Sequence, residues 1–380
     1  MAGTLTVDRR RWLGYRWHRH GLGASLPPRG LDDLLLLGVQ ASRHGAAEQS
    51  LRQRGVVVGR AVDGSGATAV PDFIDADAIG PDAIGPDDIG PDGPLVVMWS
   101  VRGAPHVHRV GHLDAVRDAL APTDDEGGLE EVEQVAAALR AVVTAATPKG
   151  TASAAVAARL PGELVTWCER CGSHHVPDGL FRAAGRQARL VLGPLHDRTT
   201  LLLPPPAAPQ LVLPHPRLEL LRAFVRLNGP TSRTAFRDWM HGGAQATAQV
   251  WRQLGPLLRV VVDGRRLELP ETLLDELQAA PSPQGVVLVP AHDPYLRQVD
   301  RTLLVPDGAR RGQVWRALSP PGALLVDGEV AGTWRYRRGD GELTVTPFDP
   351  VAPARRAEAR AAAAAVADAV GGPPPRVRWT

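Results

Sequence analysis

Lysine is almost missing from this chain of 380 residues: of its 43 basic residues, Lys149 is the sole lysine and the rest are arginine. Chemistry that needs a lysine amine, such as a Schiff base, therefore has one candidate. Cysteine is nearly as scarce. The two present, Cys168 and Cys171, stand three apart, which excludes a disulfide framework. Long apolar runs are missing too. None approaches the roughly 18–20 residues of a membrane helix, and runs such as Leu34 to Leu37 and Leu190 to Leu192 are core-sized. The opening MAGTLTVDRRRW lacks an apolar stretch behind its basic residues, so no secretory signal is expected. These absences point to a cytoplasmic protein without a membrane partner.

Present instead is a globular composition, 44% hydrophobic and 22% charged, long enough for two to four domains. The net charge of +2 is unevenly spread. A repeat, AIGPDAIGPDDIGPD, lies within residues 71–93 and carries, with its flanks, Asp72, Asp75, Asp77, Asp82, Asp87, Asp88 and Asp92 and no basic residue. Setting those seven acids aside raises the remainder from +2 to +9. Proline every five residues forbids a helix, so this stretch reads as a flexible insertion. An arginine-rich body is compatible with nucleic-acid binding.

Three blocks carry helical patterning before the text turns to strands. Residues 8–21, 31–37 and 46–54 read as helices, the last stopped by Gly55, and 94–101 and 105–110 as strands around the turn Arg102-Gly103-Ala104. The second block has helices at 129–146, 152–160 with Thr151 as cap, and 180–189, then a short strand at 201–206. The third is clearest. Leu218, Leu221, Phe224 and Val225 follow helical spacing up to Asn228-Gly229-Pro230. Thr231 is the expected cap of 232–240, and 244–254 is a further helix. Strands 257–262 and 265–269 flank Asp263-Gly264, a strong hairpin signal. Helix, helix, helix, hairpin is the order of a winged helix-turn-helix. Residues 285–380 follow as strands with Asp-Gly turns, an alanine-rich helix at 355–370 and a last strand at 376–379. The fold class is thus α+β: tandem winged helix-turn-helix units followed by a C-terminal antiparallel β domain, divided as 1–128, 129–206, 207–280 and 281–380.

Candidate functional residues emerge from these blocks. Gln245, Thr247, Gln249 and Arg252 are expected on the solvent side of the third block's last helix. Glutamine and arginine there can reach base edges or phosphates. His106 and His108 alternate along RGAPHVHR and so share one face of the first hairpin. With Arg102 they could probe a DNA groove from an exposed wing, although an ordinary exposed strand face looks the same. Cys168, Cys171, His174 and His175 form a half-motif with metal-like spacing. A fourth ligand is not evident, His196 and Asp178 being candidates, and two structural thiols or a redox pair fit equally. No metal is assigned and no cofactor is expected.

Taken in order, the LGVQAS turn, the WSVRGAPHVHR hairpin, the Leu180-Phe181-Arg182 helix, the central winged helix, and PAHDPYL and VDGEVAGTW as strands near the end resemble the AlkZ-like winged-helix DNA glycosylase family. The resemblance runs over essentially the whole chain. It implies three tandem winged helices and a β domain cradling DNA. It further implies monofunctional excision of alkylated or crosslinked purines, centred on a Gln-x-Gln or Gln-x-Asp turn. That turn is Gln40-Ala41-Ser42 here: Gln40 matches, whereas Ser42 replaces the usual amide or carboxylate. Gln40 and Ser42 are thus the catalytic candidates, and Arg102, His106, His108, Gln245, Gln249 and Arg252 the DNA-binding ones. Glu48 is a conceivable surrogate carboxylate. The expected partner is damaged double-stranded DNA and the expected protein a nucleoid-associated monomer. The alternative is a non-catalytic winged-helix DNA-binding regulator or accessory factor, and a third reading is a module that docks protein.

Overall fold

The computed structural model describes residues 4–23, 30–42, 45–56, 94–123, 126–196, 199–297 and 300–380. The acidic repeat lies outside them. The chain forms two compact units: one of Met1–Val56, Leu220–Trp239 and Thr247–Thr380, the other of Val57–Glu219 and Met240–Ala246.

In the first unit the helix Arg9–Arg19 begins where Asp8 accepts a hydrogen bond from the Arg11 amide at 2.9 Å. It buries Trp12, Leu13, Tyr15 and Trp17. Arg16 is buried with them. Its guanidinium lies 5.1 Å from the Trp12 ring centre and 4.8 Å from that of Tyr295, and donates to the Tyr295 carbonyl at 2.8 Å. A strand precedes this helix, Thr4–Val7, which pairs parallel with Leu257–Val262. That hairpin, Leu257–Val262 with Arg265–Pro270, turns at Asp263 and Gly264 with φ of 44° and 72°. Two left-handed residues are what a two-residue hairpin turn requires. The helices ahead of it are Pro216–Asn228, Arg233–Met240 and Ala244–Trp251. Ser232, not Thr231, caps the second, its hydroxyl accepting from the Ala235 amide at 3.1 Å. Thr231 is instead bridged to Glu268.

The C-terminal sheet runs Val286–Val289, Gly322–Val326, Glu329–Arg337, Glu342–Pro347, Arg376–Trp379. Its first four strands are antiparallel, but the last pairs parallel with its neighbour. The wholly antiparallel expectation fails because the helix Pro353–Val370 carries the chain back across the sheet. Ala359, Ala363 and Val366 of that helix pack on Leu288, Leu324, Leu343 and Val345. PAHDPYL is not a strand either. After Val289 the chain turns, and Pro294–Arg297 is a short helix. Asp293 caps it through the Tyr295 amide at 2.8 Å and forms a buried two-pronged pair with Arg54 at 2.8 and 2.9 Å.

In the second unit, strands of one sheet run in the order Pro105–Arg109, Leu95–Trp99, Val191–His196, Thr199–Leu203, Thr147–Pro148. Cross-strand partners fix the faces. Val96 and Met98 stand opposite His108 and His106, while Val97 and Trp99 point the other way. The Val96 and Met98 face is covered by Leu113 and Val116 of the helix Leu113–Ala119. The Trp99 face meets a core built from the helices Leu129–Val142, Lys149–Ala157 and Asp178–Gln187. Thr151 lies inside the second of these rather than capping it, because helix starts directly after Pro148. The first hairpin is therefore packed on both faces.

Candidate active site and DNA-facing residues

The Gln40 turn is built by its flanks. The helix Leu31–Leu37 ends at Gly38, whose φ of 86° lets the chain reverse into the short strand Val39–Gln40. Leu37 and Val39 are fully buried and anchor that strand. Beyond the turn, Gly45 starts the helix Ala46–Arg52; a Cβ there would meet Val370 Cγ1 at 2.5 Å and the Ala369 carbonyl at 2.6 Å. Only glycine fits. Between these anchors the Gln40 amide Nε2 donates to Ser42 Oγ at 2.8 Å. Gln40 Oε1 is buried and has no hydrogen-bond partner among the described residues. Ser42 is exposed. The turn thus holds the Ser42 hydroxyl by the amide nitrogen and leaves the enclosed amide oxygen with its acceptor capacity unused among the described residues. Glu48 lies in the first turn of the following helix.

His106 and His108 do share a face, with ring centres 6.2 Å apart. That face is not exposed: His106 is 4% and His108 0% accessible. The two imidazoles therefore do not stand on a free wing, because the helix Leu113–Ala119 covers their side of the sheet. His106 Nδ1 donates to the Ala104 carbonyl at 2.9 Å. In the third block Gln245, Gln249 and Arg252 are exposed as expected. Thr247, expected beside them, is 0% accessible and faces inward.

Arg102 occupies the turn of the first hairpin in a left-handed conformation, φ 57° and ψ 23°. It lines a cavity of about 540 Å³ in the second unit together with Ser100, Glu126, Arg186, Arg217 and Gly243. Arg186 is 9% accessible, and its hydrogen bonds go to the carbonyls of Leu120, at 2.9 Å, and Ser100, at 3.4 Å. Burial and the neighbouring Arg217 push its pKa down to about 10. Ser100 Oγ is buried without a hydrogen-bond partner among the described residues. Arg217 Nη1 is 3.6 Å from Glu126 Oε2. Burial would raise the Glu126 carboxyl, but the Gly243 and Thr123 amides, with Arg217, hold it below the ordinary range. Three guanidinium groups face one carboxylate, a balance that suits an anion. Arg186 and Arg217 were not singled out from sequence, since in an arginine-rich chain nothing distinguishes them until the fold brings them together.

The family model for AlkZ-like DNA glycosylases matches residues 81–369. The chain belongs to the AlkZ-like DNA glycosylase family. DNA is the substrate class that goes with this family. Among solved structures, Streptomyces sahachiroi DNA glycosylase AlkZ is similar, with a TM-score of 0.69 over 99% of this chain and 100% of that one, at 20% identity. At that identity the likeness speaks for the fold. No curated protein matches. The span matched to the AlkZ-like family contains Arg102, His106, His108, Gln245, Gln249 and Arg252 but not Gln40 or Ser42, so membership stands independently of the catalytic candidates. No helix among the described residues is long and apolar enough to cross a membrane.

Proposed function

We propose that this member of the AlkZ-like family is a monofunctional DNA glycosylase that releases purines alkylated at N7 or N3, including crosslinked ones, from double-stranded DNA. It acts as a nucleoid-associated monomer whose helix–hairpin blocks serve as winged helices. A purine alkylated at either position is cationic and departs with the electron pair of its bond to C1′, leaving an oxocarbenium-like sugar. Water then attacks C1′ with an oxygen lone pair, and its proton passes to solvent water. The observation that carries the reading is the Gln40 turn, where Oε1, which has no hydrogen-bond partner among the described residues, would accept from that water once the turn opens to substrate, while Ser42 fixes the amide. Neither side chain is a strong base. Such a site suits labile cationic lesions and not stable bases. The cavity of Arg102, Arg186 and Arg217 would take a backbone phosphate, and Gln245, Gln249 and Arg252 would meet the duplex from the exposed helix. Buried as they are, His106 and His108 would act by setting the hairpin that presents Arg102.

Lys149 supports a mechanism without a covalent adduct: its ammonium is 3.0 Å from Asp178 Oδ1 and 5.8 Å from the ring centres of Trp99 and Phe181. The deciding experiment is incubation with duplex containing N7-methylguanine, scored for abasic sites. Wild type should release the base, and borohydride should trap no protein–DNA adduct. Gln40→Ala should lose about 10²–10³ in rate while still binding damaged duplex, because the contact acts mainly in the transition state. Ser42→Asp should speed release. Full activity in Gln40→Ala would sink the assignment of the turn. A wild type that releases nothing, with activity appearing in Ser42→Asp, would favour the non-catalytic DNA binder, a reading that Ser42 itself motivates.

A further inference from the structure

The ribbon formed by Thr166–Cys168 and Ser173–His175 takes no part in the proposal above. It is a two-stranded sheet of its own, pairing Thr166 with His175, Trp167 with His174 and Cys168 with Ser173. Its side chains are largely exposed, Trp167 at 52%. A hairpin this short with so little burial is marginal on its own. Its turn, Cys168-Glu169-Arg170-Cys171-Gly172, is nevertheless tightly made. The Cys171 and Gly172 amides donate to the Cys168 carbonyl at 3.1 and 2.9 Å, and Gly172 has φ 59°. The Arg170 and Cys171 amides are directed at the Cys168 sulfur. Such a turn presents two sulfur atoms side by side and directs N–H groups at one of them.

His175 completes the cluster. One ligand atom from each of Cys168, Cys171 and His175 lies within 4.8 Å of the other two. A tetrahedral zinc with bonds of about 2.0–2.3 Å needs ligand separations of about 3.4–3.8 Å, a closure that small side-chain rotations provide. His175 Nδ1 donates to the Val176 carbonyl at 2.8 Å. That bond fixes the tautomer and leaves Nε2 with the lone pair, the outer-shell arrangement a metal-bound imidazole uses. His174 alternates to the other face and packs its ring edge-on to Trp167 at 5.2 Å. The Asp178 carboxylate is engaged by Lys149 at 3.0 Å and Arg182 at 2.6 Å.

We propose that Cys168, Cys171 and His175 bind one zinc ion, with its fourth position open to solvent, and that the metal holds this ribbon in place. The test uses the full chain, reduced, supplied with zinc and then exhaustively exchanged. Zinc is counted by elemental analysis, and a cobalt-substituted sample is inspected for thiolate charge-transfer and tetrahedral d–d bands. Wild type and His174→Ala should hold one metal per chain. Cys171→Ser and His175→Ala should hold almost none while keeping the far-ultraviolet circular dichroism of the wild type. A reduced wild type that retains no zinc overturns the proposal, as does equal retention in Cys171→Ser. Isolation as a Cys168–Cys171 disulfide that takes up no metal after reduction would mark a redox pair instead. Loss of zinc in His196→Ala would overturn the open fourth position.

Discussion

Two hairpins that each turn through a pair of left-handed residues, one in a five-residue loop and one in a two-residue loop, lead different lives in this molecule. Leu95–Trp99 with Pro105–Arg109 turns through Arg102 and Gly103 at φ 57° and 66°; Leu257–Val262 with Arg265–Pro270 turns through Asp263 and Gly264 at 44° and 72°. In the first, apolar cores press on both faces. In the second, Val260, Val262, Leu267 and Leu269 are buried while Arg259, Arg265 and Arg266 are exposed. Each hairpin has one apolar and one alternating strand. In the first strand of the first hairpin, LVVMW is apolar at every position, and in the second strand of the second hairpin RRLEL alternates, whereas their partners PHVHR and LLRVVV carry the opposite patterns. Turn chemistry announces a hairpin, and the elements that fold onto it decide which of its faces stay exposed.

The largest expected effect tests the burial. Trp99 meets Phe181 edge-on at 5.8 Å, and its ring fills the space where a Cβ on Gly185 would lie, 2.3 Å away. Trp99→Ala should cost about 3–5 kcal/mol. Val261→Ala, on the half-exposed second hairpin, should cost about 1 kcal/mol or less. Urea melts of both variants measure this directly. Equal losses would mean the second hairpin is buried as deeply as the first.

A smaller effect concerns charge. If Arg102 meets a phosphate in the arginine-lined cavity, Arg102→Ala should reduce the slope of log affinity against log salt by about 0.9 and weaken damaged and undamaged duplex alike. Arg265→Ala should leave that slope unchanged, since Arg265 is paired with Asp300 at 2.7 Å. Arg252→Ala, from the exposed helix, should behave like Arg102→Ala. A reduced slope for Arg265→Ala would turn the second hairpin into a DNA contact, and no change for Arg102→Ala would remove the first.

What could be read from sequence follows the same division between local and distant causes. The helix Leu31–Leu37, the Asp263-Gly264 turn and the apolar stripe of Pro216–Asn228 are set by neighbours a few residues away, and their expected limits agree closely with those observed. Gln40 and Ser42 were legible as a pair through family resemblance, and their hydrogen bond is a local one. The strand Thr4–Val7 was not legible, because its partner is Leu257–Val262, some 250 residues on. The burial of His106 and His108 depends on Leu113 and Val116 folding back over them. The arginine cavity needs positions 102, 186 and 217 together. No window of sequence contains all three.

The smallest expected effect separates the two turns themselves. An L-residue in the left-handed region costs roughly 1–2 kcal/mol, and arginine, unlike aspartate, has no short polar side chain to offset that cost locally. Glycine would relieve the strain at position 102 but lose about 0.5–1 kcal/mol through the freedom it gains when unfolded. The two terms nearly cancel, so Arg102→Gly should change folding stability by no more than about 1 kcal/mol while its DNA affinity falls as in Arg102→Ala. That combination would identify a side chain kept in a strained place for what it binds rather than for what it stabilises. Asp263→Gly should be equally mild in stability and silent in binding. A destabilisation of Arg102→Gly well beyond that range would show that the guanidinium holds the first hairpin together, and its effect on binding would then be indirect.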